Sequence, residues 1–583
     1  MQHDHPKTST KSLIPIIAAS SVGTIIEWYD FYIFGSLAAI IATKFFPQGD
    51  AVAAFLATLA TYAAGFLVRP FGALFFGRLG DLIGRKYTFM VTLLLMGCST
   101  FAIGLIPGYK TIGFLAPLIV LILRLLQGLA IGGEYGGAAT FVAEHSPANQ
   151  RGFFTSWIQV TAVIAFLISL IVIQFFKNIL SPADWEDWGW RLPFLISIFM
   201  VGISVYIRKN MAESPLFAHA KAEGKTSVNP LKESFGNKAN LKVVLLALFG
   251  VTMGIGVVNG PIYFFIQTFL LKTLFLDYGQ VNTIFITVLL IGLPICIIFG
   301  WLSDKIGRKP LLLLSLFLAI LFFRPIYEQM YQTVNLKNKT EDISKISIEK
   351  KQEGLLTVTT TQHFYTDKTI CQEVEKLTPV QGQASKTELA KTIFINETDK
   401  WKLIFLIDSL LVIAGISYGP LAAYLVEMFP LKIRYTSLSF PYHIGFGILG
   451  GMTLVIATYL VNKATEAHDA KYYLAGLTYH MVLMTISLII GLFYLKENYA
   501  EQAGVKTSSK YKNAIKRGLG IVWMLLGLAA AYFGILELGL PKIYSGKQDD
   551  LIFGIIMMAI ITPIISGGLL LFGKYAWQGE YDD

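Results

Sequence analysis

The sequence predicts an all-α polytopic membrane protein of two six-helix halves plus two extra C-terminal membrane helices, about 14 spans. Three observations predict it. The 583-residue chain is 54% hydrophobic and only 15% charged, with a mean hydropathy of +0.58, where a soluble domain carries about a quarter of its residues charged. The charges fall in short clusters between apolar runs of about 20 residues or more, the length of helix that crosses a bilayer. A charged motif also occurs twice, once in each half of the chain. Lipid obliges each span to satisfy its own backbone hydrogen bonds, and the alternation of a membrane barrel is absent, so the spans are helices.

In order, the spans read as 13–44, 51–76, 87–107, 111–143, 153–178, 190–208, 241–271, 281–302, 310–328, 402–428, 436–462, 471–495, 518–540 and 551–574. Met1 to Ser12 is polar, and the apolar run behind it is too long for a cleaved signal, so it reads as the first span. Basic residues mark alternate short loops: Arg78, Arg85 and Lys86; Arg151; Arg208 to Lys242; Lys305, Arg308 and Lys309; Lys432 and Arg434. The opposite loops hold nearly solitary Lys44, Lys110 and Lys272. This asymmetry puts both termini in the cytoplasm, and Trp185, Trp188 and Trp190 at the outer interface. It also accounts for the net charge of +10 as an orientation signal, so a nucleic-acid partner is not expected. Cys98 and Cys296 lie in apolar runs and Cys371 is alone in a polar segment, which leaves no disulfide framework.

The chain repeats itself. Gly77-x-x-Gly80-Asp81-x-x-Gly84-Arg85-Lys86 follows span two, and Gly300-x-x-Ser303-Asp304-x-x-Gly307-Arg308-Lys309 follows span eight. Glu144 with Arg151 and Glu427 with Arg434 form a second matching pair after spans four and ten. The interval from Glu144 to Glu427 exceeds that from Asp81 to Asp304, so the second half holds an insertion, the Lys-, Glu- and Thr-rich segment 329–401. The organisation is thus 1–211, a six-helix half; 212–240, a cytoplasmic loop; 241–497, the second half; 329–401, an extracytoplasmic insert; and 518–574, an additional hairpin. For the insert two readings stand: a flexible hairpin without function, or a small β element at Gly354 to Thr366, where Leu, Val, Thr and Phe alternate. The last two spans have no counterpart in the repeat and read as packing or assembly helices.

From about residue 13 to 497 the chain resembles the metabolite:proton symporters of the major facilitator superfamily, which carry proline/betaine, α-ketoglutarate, citrate and shikimate. The blocks that carry the resemblance are Gly23 to Phe31 (with Glu27-Trp28-Tyr29-Asp30), Arg69-Pro70-Phe71-Gly72 running into Gly77 to Lys86, and Arg124 to Gly128. Gly132 to Gly137, Trp190 to Phe194, Glu213-Ser214-Pro215 and Gly419-Pro420 through Arg434-Tyr435-Thr436 complete it. The insert is not typical of that family, and two spans replace the C-terminal heptads of some osmolyte carriers. The resemblance implies that the span-one aspartate and span-four arginine form a proton-coupling pair. It also implies that Asp81 with Arg85, Glu144 and Arg151 holds a cytoplasmic gate shut, with Gly80, Asp304, Arg308, Glu427 and Arg434 at the matching positions.

Ionisable groups within a span cost about 2.5–3.5 kcal/mol on insertion scales, so each needs a reason. Glu27 and Asp30 share one helix face, and Arg124, Gln127, Ile131 and Glu134 share another. A carboxylate balanced between desolvation and a neighbouring guanidinium can take up a proton when that partner is drawn away. Asp30 is the first choice for the proton carrier, Glu27 the second and Glu134 the third; the alternative is a static ion pair that fixes packing. Arg69, on one face with Tyr62, either attracts an anionic substrate or snorkels to the headgroups. Asn259, Tyr263 and Gln267 at i, i+4, i+8 suit either a small ligand or interhelical hydrogen bonds. His443 and Asp408 are weaker candidates, and Tyr418 and Tyr424 are cavity walls by position alone.

No GxxxxGK[ST] loop and no His, Cys or Ser constellation with ligand or nucleophile spacing occurs, so neither nucleotide drive, nor a metal, nor a catalytic site is expected. The sequence therefore predicts a secondary transporter of the cytoplasmic membrane that moves a small organic acid or zwitterion, with the proton as coupling ion and no cofactor. The alternatives are an uncoupled facilitator and a non-transporting sensor.

Overall fold

The computed structural model describes residues 10–46, 58, 61, 64–209, 213–353, 356–378, 386–496, 510–546 and 548–582. Among them, eleven helices are long and apolar enough to cross a membrane; of the predicted span 51–76, residues 51–57, 59–60 and 62–63 lie outside the described residues. The first half contains α1 (Thr10–Ser36, continued as Ala38–Phe45), α2 (Arg69–Leu82), α3 (Arg85–Leu105), α4 (Leu115–His145), α5 (Arg151–Ile179) and α6 (Ser197–Lys209). The second contains α7 (238–273), α8 (Tyr278–Ile306), α9 (Arg308–Val334), α10 (Glu397–Met428), α11 (434–466) and α12 (Thr478–Tyr494). In the first half α4 packs between α2 and α3, and α1 packs on α5; α10 packs against α8 and α9 in the second.

Two boundaries correct the sequence reading. α2 runs to Leu82 and α8 to Ile306, so Asp81 and Asp304 sit in the last helical turns rather than in loops. The reversal that follows each is very tight. Gly84 and Gly307 make it at φ +133° and +94°, values that only glycine adopts readily. The tryptophan trio is also corrected: Trp185 and Trp190 are buried in the first-half core and only Trp188 is exposed, because the two indoles fill space against Phe194 and the α1 extension.

α7 is not a uniform α-helix. Wider turns occupy Leu248–Thr252, Pro261–Phe265 and Phe269–Thr273, and α11 has a similar stretch at His443–Gly450. Such turns mark places where a helix departs from its ordinary register. Here they accompany glycines that let α7 and α11 touch backbone to backbone: a Cβ at Gly256 would meet the Gly445 carbonyl oxygen at 2.5 Å.

The insert begins after Val334 and ends before Glu397, shorter than the predicted 329–401 because α9 and α10 run past the ends of the predicted spans. It is not a loose hairpin: the β element expected at Gly354 to Thr366 is present as β2 of a four-stranded antiparallel meander in the order β1 (Ser347–Glu353), β2 (Leu356–Phe364), β3 (Ile370–Thr378), β4 (Lys386–Phe394). Opposite charges face each other in register, Glu373 with Lys391 and Lys376 with Glu388, pairs that help fix a sheet with little core of its own. At its base Lys339 Nζ lies 2.5 Å from carboxylate oxygens of both Asp367 and Asp399.

The C-terminal hairpin, α13 (510–537) and α14 (548–577), packs on the second half. Phe553 stacks on Tyr459 of α11 at 3.7 Å, and Phe572 of α14 meets Phe249 of α7 and Tyr494 of α12. The tail behind α14 returns to the foot of α7, where Glu580 pairs with Lys238 at 2.8 Å and Lys242 at 3.0 Å. Hydrogen bonds from Lys238 and then Lys242 hold the Glu580 carboxyl below its usual range. A depressed folded value means that the contribution is complete above the unfolded value of about 4.3 and disappears as pH falls through the lower, folded one. The difference in melting temperature between the native protein and Glu580→Gln should accordingly be constant at neutral pH and shrink to nothing in acid. A difference independent of pH would sink this expectation.

Candidate functional site

Asp30 is wholly buried in the middle of α1, and neither of its carboxylate oxygens has a hydrogen-bond partner among the described residues. It lies beside the Thr100 hydroxyl of α3. That hydroxyl accepts from Gln127 Nε2 of α4 at 2.6 Å, and Gln127 Oε1 accepts from Arg124 Nη1 at 2.7 Å. Arg124 itself lies 4.3 Å from the centre of the Phe34 ring. The implied direct pair of Asp30 and Arg124 is therefore corrected: a threonine and a glutamine stand between them. Three adjacent helices supply the chain because α3 and α4 each place a polar residue on the face turned toward α1, within otherwise apolar spans.

Glu134 is not part of this group. Ten residues along α4 from Arg124, it accepts from Thr92 Oγ1 at 3.0 Å, while Arg124 and Gln127 are tied to Thr100 two turns further along α3. The Glu27 side chain and Tyr62 lie outside the described residues, as does the side chain of Tyr263.

Arg69 starts α2 and is 4% exposed, which excludes snorkelling. Its guanidinium lies 4.0 Å from the Phe66 ring centre and 5.7 Å from that of Trp28, and across the halves its stem faces Gly447 of α11. Next to it come buried His443 and an aromatic ladder: Tyr135 of α4 stacks on Tyr442 of α11 at 3.5 Å and 5°, Tyr442 on Phe446, and Phe446 on Tyr418 of α10. Gln159 of α5 donates to the Tyr135 hydroxyl at 2.9 Å. Sequence reasoning selected Tyr418 and His443 but missed Thr100, Tyr135, Tyr442 and Phe446. Tyr135 stands inside the quoted Gly132 to Gly137 block, which was a usable signal; Tyr442 and Phe446 lie beyond the last quoted block, and a threonine in an apolar span gives no signal. Tyr424 is corrected, since its hydroxyl donates to the Lys496 carbonyl far along α10.

Asn259 is buried and its Nδ2 donates to its own helix at Ile255. The wide turn at Pro261–Phe265 lies between Asn259 and Gln267 and breaks the i, i+8 alignment assumed for them. Asp408 is half-buried on α10.

At the aspartate-bearing end the charges cross between the halves. Asp81 accepts from the backbone N–H of Tyr435 at 3.3 Å and of Thr436 at 2.9 Å, capping the start of α11. Asp304 does the same for α5 through Gly152 and Phe153, both at 2.8 Å. Each carboxylate meets the exposed N–H groups and positive dipole end of a helix from the other half. Around them, Arg85 pairs with Asp81 and Glu144, and Arg434 reaches across to Glu144 at 3.3 Å. In the matching cluster Arg308 pairs with Asp304 and Glu427, and Arg151 reaches across to Glu427 at 3.2 Å. The implied set of Asp81, Arg85, Glu144 and Arg151 is thus corrected: Arg151 belongs to the other cluster, and Arg434 takes its place. Gly80 lets the Tyr435 ring lie directly on α2, and a Cβ at Gly77 would meet Thr436 Cα at 2.9 Å. This end of the interface is shut.

A family model described as "Sugar (and other) transporter" matches residues 16–349, and a second, described only as a family of unknown function (DUF6814), matches residues 512–583. The chain is 29% identical over 484 residues to the proline/betaine transporter of Escherichia coli K12, covering 82% of each. It is 36% identical over 299 residues to the shikimate transporter of the same organism, covering 50% of this chain and 66% of that one. Among solved structures, the proton:xylose symporter XylE bound to 6-bromo-6-deoxy-D-glucose superposes with a TM-score of 0.59 at 16% identity, over 85% of this chain and all of that one.

Proposed function

This chain belongs to the sugar (and other) transporter family and is an integral inner-membrane transporter of small solutes, not an enzyme, and we propose that it imports an organic acid or zwitterion together with a proton by alternating access. The observation that carries the coupling is Asp30, wholly buried beside the Thr100 hydroxyl, which Gln127 links to Arg124. Such a carboxyl can load a proton from one side and lose it when the relay moves. Arg69 is placed to hold a substrate carboxylate, and the rings of Trp28, Phe66 and Tyr442 around it suit a cationic or zwitterionic nitrogen. Proline, betaine and shikimate, carried by the relatives, all present a carboxylate. His443, Tyr418, Gln127 and Asn259 would complete the wall, with Gln267 at its margin.

The aspartate-bearing end faces the cytoplasm in this reading, with both termini, and the sheet faces outward; the alternation of basic loops supports it. The crossed clusters then form the cytoplasmic gate, closed in this conformation. The proton is the coupling ion and the cycle needs no other cofactor. A potential of 100 mV contributes about 2.3 kcal/mol per charge moved. Uptake of labelled proline, betaine, shikimate, α-ketoglutarate and citrate into proteoliposomes, with and without an inward proton gradient, tests the reading. Asp30→Asn should abolish gradient-driven accumulation while leaving downhill exchange. Accumulation that persists in Asp30→Asn would move the proton site elsewhere, and accumulation indifferent to the gradient would mean an uncoupled facilitator.

A further inference from the structure

The two parts of this chain that the two-half repeat does not explain, the sheet insert and the C-terminal hairpin, converge on one helix. At the outer end of α7 the backbone bends through Phe275 at φ +55°. There the chain joins β4: Ile393 N–H donates to the Phe275 carbonyl at 2.7 Å, and Asp277 N–H donates to the Ile393 carbonyl at 3.0 Å. Gln280 adds a reciprocal pair, its Nε2 donating to the Ile395 carbonyl and its Oε1 accepting from Ile395 N–H, both at 2.9 Å. Leu274, Leu276, Cys371, Ile393 and Ile395 are buried together beneath these bonds.

At the inner end the hairpin's tail grips the first turns of the same helix. Glu580 bridges Lys238 and Lys242, Lys242 also donates to the Glu580 carbonyl at 2.8 Å, and the Tyr581 hydroxyl donates to the Lys242 carbonyl at 3.2 Å. Further in, α14 comes so close to α7 that Gly568 leaves no room for a Cβ against the Phe249 ring. Between the two grips lie the three wide turns of α7, whose altered register makes that stretch the part of the helix best able to bend.

We infer that the sheet insert and the C-terminal hairpin are paired holds on α7, which fix its two ends and thereby set how readily its middle bends. This assigns a role to the hairpin, whose matching family has none, and it goes beyond the proposed transport without depending on the substrate. Each hold combines a few polar contacts with apolar packing that single polar substitutions leave in place, so releasing the polar contacts does not dismantle a core. A plain anchoring role would let the sheet or the tail loosen and leave α7 in place.

The test is a distance measurement on full-length protein in lipid nanodiscs, with Cys98→Ser as background and spin labels at Lys44→Cys and Lys272→Cys. These positions report the outer end of α7 against the first half. Gln280→Ala removes two hydrogen bonds of the outer hold, and Glu580→Gln removes both ion pairs of the inner one. Each should raise the minor distance population about tenfold, with the fold retained by size and by a single cooperative melting transition. The pair of variants combined should raise it further. Unchanged distances in both single variants would overturn the inference, as would movement in Gln280→Ala alone, since the inner hold would then be only a tether. Absence of transport for every solute tried would leave this result unaffected.

Discussion

Glu144→Gln should open the aspartate-bearing end of the molecule. The Glu144 carboxylate is fully buried, accepts from Arg85 at 3.4 Å and Arg434 at 3.3 Å, and is also bonded by the Ser214 hydroxyl. Neutralising it leaves Arg85 to share Asp81 and leaves Arg434, contributed by the other half, facing an amide. Removing one partner of a buried pair costs about 3–5 kcal/mol, upwards of about a hundredfold in a two-state equilibrium. Only the closed arrangement brings Arg434 to Glu144, so the closed state bears the cost. Glu427→Gln should do the same more weakly, because the Glu427 side chain is 16% exposed and water already shares its charge. Spin labels at Arg78→Cys and Lys432→Cys, both exposed and on opposite halves, would read it: the native short distance should give way to a longer one. An unchanged distance in Glu144→Gln would mean that the helix caps of Asp81 and Asp304, rather than the crossed ion pairs, keep this end shut.

Thr100→Val should separate solute movement from the proton. Valine keeps the shape of threonine and removes the hydroxyl that accepts from Gln127 and lies beside Asp30. A buried group left without its partner costs about 1–3 kcal/mol, or about five- to 150-fold. Gradient-driven accumulation should fall by at least about tenfold on that basis, while counterflow at equal pH stays close to native. The paired readout matters, since a variant that merely misfolds would lose both. Full coupling in Thr100→Val would show that Asp30 and Arg124 communicate by another route.

Much of this architecture was legible in one dimension. Apolar runs marked the helices because bilayer thickness imposes their length, and the repeated Asp-Gly-Arg-Lys marks divided the chain into halves. The interval between Glu144 and Glu427 even located the insertion. Helix ends were less legible. Asp81 looked like a loop residue because hydropathy falls before the helix does, and the helix continues since its last turn packs on α11 instead of lipid. The site was legible in part: Asp30, Arg124, Gln127 and Arg69 stood out because charge inside a span demands a reason. Thr100 did not, since a hydroxyl in an apolar helix can bond its own backbone and needs no further explanation. The stripe on α7 failed because it assumed a constant turn, and the wide turn at Pro261–Phe265 altered the register.

By itself the sequence determined the class of fold, the two-half plan, the presence of an insert and an extra hairpin, and the ionisable residues worth watching. These follow from length, hydropathy and spacing, which act locally along the chain. Only the tertiary structure decided who pairs with whom. Arg151 and Arg434 have the same spacing from Glu144 and Glu427 in their respective halves, so the sequence points each to its own half. Packing instead carries each across the interface to the opposite glutamate, because Asp81 and Asp304 dock onto the N-termini of α11 and α5 and bring those helices' first residues with them. The aromatic stack and the two holds on α7 have the same origin: each joins residues far apart in sequence, and only the closing of the halves and the docking of the added segments makes them neighbours.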